Sequence, residues 1–260
     1  NEENLQRTDF VQIALFVASV GKFRQIEKRN PQLLKNVKAV AGLSVGEFAA
    51  LTFAGVLSFA DALKLVYARG KAMQDLVDLT STAMSSIVGP NTEQLSSFLT
   101  KNFPHLFISG YLADNQHTVS GDGTRIDEFL LKLKNDDVRK TLNLQDSRKL
   151  RVSGAFHTEF MESAAYEIEP VIDSITFSPP KLPVILNING KATRDANFIK
   201  SQVKNQLINP LQWKQSIITA IEMGIVRFIE LSPSPILTAI IRKRIKACSD
   251  AKCTAIFQDF

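Results

Sequence analysis

The spacing of apolar and polar positions predicts strands and helices in alternation over most of the 260 residues. Short apolar runs with β-branched residues predict strands, and apolar positions three or four apart predict helices. Predicted helices cover residues 1–35, 47–54, 58–78, 92–102, 126–134, 158–172, 198–208, 213–223 and 236–247. Predicted strands cover residues 37–41, 83–88, 106–111, 117–120, part of 138–152, 183–187, 225–231 and 254–257.

This order of elements predicts an α/β fold in two parts. Strands alternate with helices in residues 1–80 and 152–260, which is typical of a mostly parallel sheet covered on both faces. Residues 81–151 follow the order β-α-β-β-α-β of a ferredoxin-like α+β unit. We therefore expect a small domain inserted into a larger one.

A serine between two glycines lies where the second predicted helix follows the first predicted strand. The segment is Gly42-Leu43-Ser44-Val45-Gly46. A tight strand-to-helix turn strains the serine backbone and requires small residues two positions before and after it. The flanking elements favour a nucleophile elbow, and the alternative is a serine in an ordinary loop.

A serine hydroxyl needs a base to become a nucleophile, and the chain has three histidines. His105 and His117 belong to the small domain, where we expect both at the surface. His157 lies in a small-residue loop after a predicted strand, a position where α/β sheets collect their chemistry. His157 is therefore the candidate base, with capping of the next helix as the alternative role.

The sequence offers no aspartate in a large-domain loop after a strand to complete a triad in the order Ser, Asp, His. It therefore favours a Ser–His dyad whose histidine is oriented by another group, such as a backbone carbonyl. Asp122-Gly123-Thr124 is close to the aspartate turn of patatin-like lipases. An ordinary turn between a strand and a helix is a sufficient explanation of that segment, so we favour it over the lipase-like turn.

One arginine shares a helix face with apolar residues. Leu65, Val66 and Met73 lie three or four positions from Arg69 on the predicted helix 58–78. An arginine in such a stripe meets an anion or reaches outward to solvent. Binding of a substrate carboxylate and pairing with a structural acid are equally compatible with this spacing.

Composition limits the remaining function classes. No apolar run approaches the roughly 18 residues needed to cross a bilayer, so we expect no membrane partner. The net charge is +5, and its densest cluster, residues 242–246, has no interleaved aromatic residues, so we expect no nucleic-acid partner. Cys248 and Cys253 are too few for a four-ligand metal site, and we expect neither metal nor cofactor.

Several segments in the right order resemble malonyl-CoA:acyl carrier protein transacylases, most of all the animal mitochondrial form. The matching segments are residues 42–51, 53–62, 69–74, 152–158 and 206–213. The resemblance implies a hydrolase-like α/β core with a ferredoxin-like insertion. It implies that Ser44 attacks malonyl-CoA, that His157 acts as base and then acid, and that Arg69 binds the malonyl carboxylate.

The same resemblance assigns the remaining site residues and the partners. The backbone carbonyl of Gln206 would orient His157, and the N–H of Val45 would bind the oxyanion. Met73 and Phe156 would contact the acyl group, with Phe156 disfavouring branched units. The expected partners are malonyl-CoA and acyl carrier protein, with a monomer acting in the mitochondrial matrix.

The beginning of the chain departs from this family. Relatives begin with a strand and a Gly-Gln-Gly-Ser-Gln-like loop that supplies an oxyanion donor, and nothing here matches it. We therefore expect the printed chain to be N-terminally incomplete and poorly active. A serine thioesterase or hydrolase and an inactive scaffold of the same fold are the alternative functions.

Overall fold

Helices and strands alternate in the computed structural model, which describes residues 7–152 and 154–257. The helices are α1 (Thr8–Arg29), α2 (Pro31–Lys35), α3 (Gly46–Phe53), α4 (Phe59–Leu79), α5 (Thr92–Asn102), α6 (Gly123–Lys132), α7 (Asp136–Thr141), α8 (Glu162–Asp173), α9 (Ala196–Asn205), α10 (Trp213–Glu222), α11 (Ile236–Arg244) and α12 (Lys246–Asp250). The strands are β1 (Val40–Ala41), β2 (Thr82–Val88), β3 (Phe107–Ala113), β4 (Gln116–Asp122), β5 (Asp146–Lys149), β6 (Val184–Ile185), β7 (Ala192–Thr193), β8 (Arg227–Glu230) and β9 (Thr254–Phe257). The first six residues of the predicted helix 1–35 lie outside the described residues.

The larger part of the fold contains two small sheets. Strand β1 pairs in parallel with β6, and β7 then pairs antiparallel with β6. Strands β8 and β9 form a separate parallel pair. Two of these three described pairs are parallel, and the sheet around β6 is mixed because β7 joins it antiparallel. Only a short turn joins β6 to β7, and a connection this short returns a strand antiparallel, whereas a parallel neighbour needs a long crossover.

Residues 82–149 form one antiparallel sheet with the strand order β3-β4-β2-β5. It has its own apolar core, which includes Ile87, Leu95, Val119, Ile126 and Phe129. Helix α7 in this region was not predicted. It begins where the Asn135 side chain accepts hydrogen bonds from the N–H groups of the next turn, which is a local capping signal.

Helix α4 carries part of the site and is fixed at its start by its own sequence. The Ser58 hydroxyl oxygen accepts the N–H of Asp61 at 3.0 Å and donates to its carboxylate at 2.7 Å. Ser58 is therefore the N-cap of α4. Apolar residues of α1, α3 and α4, including Phe16 and Phe48, form the main core cluster.

Among the described residues, no helix has the length and apolar character needed to cross a membrane. The same residues contain no group of three or more His, Cys, Asp and Glu side chains arranged to hold a metal ion. Cys248 and Cys253 are both free thiols.

Candidate active site

The predicted elbow is present at the start of α3. Ser44 has a φ of +52°, a left-handed conformation that is strained for a serine. A Cβ at Gly42 would lie 2.1 Å from the carbonyl carbon and oxygen of Gly46, so this position requires glycine. A Cβ at Gly46 would meet nothing within 4 Å, so the expected steric need for a small residue there is wrong. The backbone carbonyl of Gly46 lies against the Cα of Gly42, whereas the Cα of Gly46 itself faces open space.

Ser44 and His157 are in contact although 113 residues separate them. The Ser44 Oγ lies 2.8 Å from His157 Nε2, and His157 Nδ1 lies 3.0 Å from the backbone carbonyl oxygen of Gln206. Because a carbonyl only accepts, Nδ1 carries the proton and donates to it. The lone pair of Nε2 therefore faces the serine hydroxyl, which is the tautomer that a general base needs.

His157 is buried and uncharged at neutral pH. Burial and the nearby positive charge of Arg69 lower its pKa to about 3, while the hydrogen bond to the Gln206 carbonyl raises it in part. His157 also has a left-handed φ of +62°, so both residues of the contact occupy strained backbone. Such strain is maintained only where the surrounding structure fixes it.

Arg69 points into the same place from α4. Its Nη2 donates to Ser44 Oγ at 3.1 Å and to Gln206 Oε1 at 2.9 Å, and its Nη1 donates to Gln12 Oε1. The guanidinium also lies 5.6 Å from the ring centre of Phe48. Among the described residues, no carboxylate lies within 4 Å of Arg69 as an ion-pair partner.

The guanidinium is therefore a buried cation without a direct counter-ion in the described structure. Only 1% of Arg69 is exposed, and burial lowers its pKa to about 10, which Glu47 opposes by its charge. The side chain stays protonated at neutral pH. Leu65, Val66 and Met73 are buried beside it, as the predicted helix face requires. An anion with two oxygens fits the fork of such a group.

Three further residues of the predicted site lie close by. The N–H of Val45 donates to no group in the described part of the chain. The Met73 sulfur accepts a hydrogen bond from Gln12 Nε2 at 3.1 Å. Phe156 is buried directly before His157, and its ring covers the space where a Cβ on Gly154 would be.

Sequence reasoning missed two buried polar residues that support the elbow. The Ser44 N–H donates to Asn187 Oδ1 at 2.7 Å, and the Asn187 N–H donates to Glu47 Oε1 at 2.8 Å. Gln206 Nε2 donates both to Glu47 Oε2 and, at 3.2 Å, to the Ser44 carbonyl oxygen. The signal for Glu47 was available: a single acid within an apolar, buried helix.

The two other histidines do not approach the elbow. His105 is exposed, as expected, but His117 is fully buried, so its predicted surface position is wrong. His117 lies in β4 opposite Ile87 of β2, and its Nε2 lies 3.0 Å from Oγ1 of Thr92, the first residue of α5. Asp122 accepts the N–H of Arg125 and caps α6, which supports the ordinary-turn interpretation.

A cavity of about 660 Å³ borders the elbow. Apolar residues of α1, β1 and β8 line it, together with Gly42 and Gly46. Ser44, Arg69 and His157 do not line it. This cavity is therefore lined by none of the three groups that contact one another.

Comparisons with known proteins agree with this geometry. The acyl transferase domain family matches residues 1–258. The mitochondrial malonyl-CoA-acyl carrier protein transacylase of Homo sapiens is 31% identical over 256 residues, covering 93% of this chain and 64% of that protein. The chain thus spans slightly less than two thirds of the length of this relative.

Solved structures give the same result. The malonyl-CoA-acyl carrier protein transacylase of Coxiella burnetii has a TM-score of 0.87 and 30% identity, covering 98% of this chain and 77% of its own. A malonyl transacylase in complex with a type II polyketide synthase acyl carrier protein has a TM-score of 0.87 and 27% identity, covering 99% and 80%. The chain belongs to the acyl transferase domain family, and its relatives there include malonyl-CoA-acyl carrier protein transacylases.

Proposed function

We propose that this protein transfers the malonyl group of malonyl-CoA to the phosphopantetheine thiol of acyl carrier protein. The observation that carries the proposal is the position of Ser44 Oγ, 2.8 Å from a neutral imidazole and 3.1 Å from a buried guanidinium. A base and a carboxylate-binding cation thus converge on one hydroxyl. The named relatives act on the same acyl donor and carrier.

The first half of the reaction acylates the serine. His157 Nε2 takes the hydroxyl proton of Ser44 as Oγ bonds to the thioester carbon. The carbon–sulfur bond then breaks, and the coenzyme A thiolate takes the proton from His157. The carrier thiol reverses these steps, giving its proton to His157 and taking the malonyl group from Oγ.

Arg69 links substrate choice to the basicity of His157. The charge of Arg69 helps to hold the pKa of His157 at about 3 in the free protein. A malonyl carboxylate on the guanidinium neutralises that charge and makes Nε2 a stronger base. An acetyl group leaves the charge unchanged, so the base is strengthened only when the correct acyl group binds.

The surrounding residues have matching roles in this proposal. The free N–H of Val45, next to the nucleophile, stabilises the oxyanion of the tetrahedral intermediate. The carbonyl of Gln206 holds the imidazole at 3.0 Å, so no acidic third member is required. Met73 and Phe156 bound the acyl site, where the bulk of Phe156 disfavours a branched acyl group.

We infer two domains around this site. Residues 1–80 and 152–260 form a hydrolase-like core, and residues 81–151 form an inserted ferredoxin-like domain. The antiparallel order β3-β4-β2-β5 and the separate apolar core of residues 82–149 support this division. The backbone bridge between Gly110 and Leu211 joins the two.

Partners and location follow from the relatives. We propose that acyl carrier protein docks on this chain, because a transacylase of the same fold is solved with such a carrier. We propose a mitochondrial site of action because the relatives from Drosophila melanogaster, Homo sapiens and Mus musculus are mitochondrial. A monomer that binds neither nucleic acid nor membrane is sufficient for this chemistry.

Radiolabelled malonyl-CoA and acyl carrier protein test the proposal directly. Label should appear on Ser44 and then on the carrier, and Ser44→Ala should abolish both, which mass spectrometry and gel autoradiography measure. Release of free malonate without carrier labelling would instead identify a thioesterase or hydrolase. Absence of any adduct on Ser44 would leave the scaffold alternative.

A further inference from the structure

One buried carboxyl group at the elbow has no part in the reaction proposed above. Glu47 lies in the first turn of α3, three residues after the nucleophile, and only 2% of it is exposed. A buried acid is costly unless hydrogen bonds or an opposite charge compensate it. Its surroundings therefore indicate what the group does.

Three N–H groups point at this carboxyl. Oε1 accepts the backbone N–H of Asn187 at 2.8 Å and the Asn187 side-chain amide at 3.3 Å, and Oε2 accepts the Gln206 side-chain amide. All three partners are donors. A carboxylate only accepts hydrogen bonds and suits this arrangement, whereas a protonated acid would place its own O–H donor among them.

The two residues held by Glu47 contact the backbone of Ser44 and the side chains of His157 and Arg69. Asn187 accepts the Ser44 N–H and donates to the Gly42 carbonyl, so it fixes the elbow backbone. The amide of Gln206 donates to the Ser44 carbonyl oxygen and accepts from Arg69 Nη2 at 2.9 Å. The backbone carbonyl of Gln206 accepts His157 Nδ1.

The Gln206 amide also joins two buried charges. Its NH2 group faces the carboxyl of Glu47 and its oxygen faces the guanidinium of Arg69. A reversed amide would place donors against donors at Arg69. An anion at Glu47 therefore fixes the amide orientation and, through it, the position of the carbonyl that holds His157.

We propose that Glu47, as a carboxylate, is a positioning residue that aligns Ser44, His157 and Arg69 through Asn187 and Gln206. This inference rests on the proposed acyl transfer. Glu47 contacts none of the reacting atoms, so its loss should misalign the site rather than remove a reacting group. A misplacement of about 1 Å costs on the order of 10²-fold in rate.

The ionisation of Glu47 makes this role visible in a pH profile. Burial raises its pKa to about 7, against the lowering effect of its hydrogen bonds to Asn187 and Gln206 and of the charge on Arg69. Arg69 on α4 is the charged group that faces it, and His157, beyond Gln206, is the nearest titratable base. The pKa of His157 is about 3, so His157 does not titrate near neutrality in the free protein.

The experiment measures kcat/KM for formation of malonyl-Ser44 by rapid quench and mass spectrometry between pH 5.5 and 8.5. In the unmodified protein the value should fall as pH drops below about 7, because protonated Glu47 releases the amides. Glu47→Gln should be slower on the order of 10²-fold at pH 8. Its pH profile should lack this fall of kcat/KM below pH 7 (the acid limb), since an amide does not titrate.

Glu230→Gln is the matched control for replacing a buried carboxylate. Glu230 is also buried and accepts only N–H and O–H donors around the start of α11, at Ser232, Leu237 and Thr238. This control should keep the acid limb of the unmodified protein whatever its stability. A limb that persists unchanged in Glu47→Gln, or a profile in the unmodified protein that is flat through pH 7, would overturn the role of Glu47.

The failure of the proposed function gives a different result. If the unmodified protein forms no malonyl-Ser44 at any pH, the acyl-transfer proposal itself is wrong. If the adduct forms normally and only the predicted change in Glu47→Gln is missing, the acyl transfer stands and the positioning role falls.

Discussion

Replacing Arg69 by alanine removes the group that we propose to pair with a carboxylate on the acyl chain. The variant should lose the preference for malonyl-CoA over acetyl-CoA while it still acylates Ser44. The reason is that Arg69 contacts Ser44 Oγ but transfers no proton in the proposed reaction. Acetyl transfer needs the hydroxyl and the base, which the variant retains.

The pKa of the buried cation gives the size of the effect. Burial lowers the pKa of Arg69 from its ordinary value to about 10, which corresponds to about 3 kcal/mol of unfavourable free energy for the charged form. A carboxylate that pairs with the guanidinium recovers this free energy, and an acetyl group does not. This free energy alone corresponds to a malonyl/acetyl preference on the order of 10²-fold. The hydrogen bonds that an acetyl group cannot make extend the preference toward 10⁴-fold.

The assay compares kcat/KM for Ser44 acylation by the two thioesters on one preparation of each variant, so that any loss of folded protein cancels in the ratio. Arg69→Lys is the matched control, since it keeps the charge but not the two-pronged geometry. Its malonyl/acetyl ratio should lie between those of the unmodified protein and Arg69→Ala. An unchanged malonyl/acetyl ratio in Arg69→Ala would refute the assigned role.

Two further predictions concern the scaffold of the site. Gly42→Ala should lower the free energy of unfolding by about 3 kcal/mol or more in urea titrations, because its Cβ would lie 2.1 Å from the Gly46 backbone. Gly46→Ala, where a Cβ meets nothing within 4 Å, should be tolerated, and equal losses would contradict this. His157 has a folded pKa of about 3 against 6.5 unfolded, so the stability it contributes is lost as pH falls through this window. Relative to His157→Gln, the unmodified protein should lose about 1.4 kcal/mol per pH unit between pH 6 and pH 4, and a constant difference would exclude a depressed pKa.

The elements of the site that depend on neighbours in the chain were predictable. The glycine-flanked turn gave Ser44, helical spacing gave the buried face of Arg69, and the position after a strand separated His157 from the other two histidines. The helices and strands were largely correct for the same reason: hydrophobic periodicity and caps act over a few residues. His117 shows the limit, because a strand position next to a turn does not reveal that α5 covers it.

The sequence by itself determined which residue types were present for nucleophile, base and cation, because each has a local signature. Only the tertiary structure decided that they converge, and that Glu47, Asn187 and the side-chain amide of Gln206 support them. Contacts from Glu47 span 140 and 159 residues, and the Ser44–His157 contact spans 113. No local pattern encodes such pairs. They form only when β6 and the turn after α9 pack against the elbow, because this packing brings the buried amides of Asn187 and Gln206 to the buried carboxyl of Glu47.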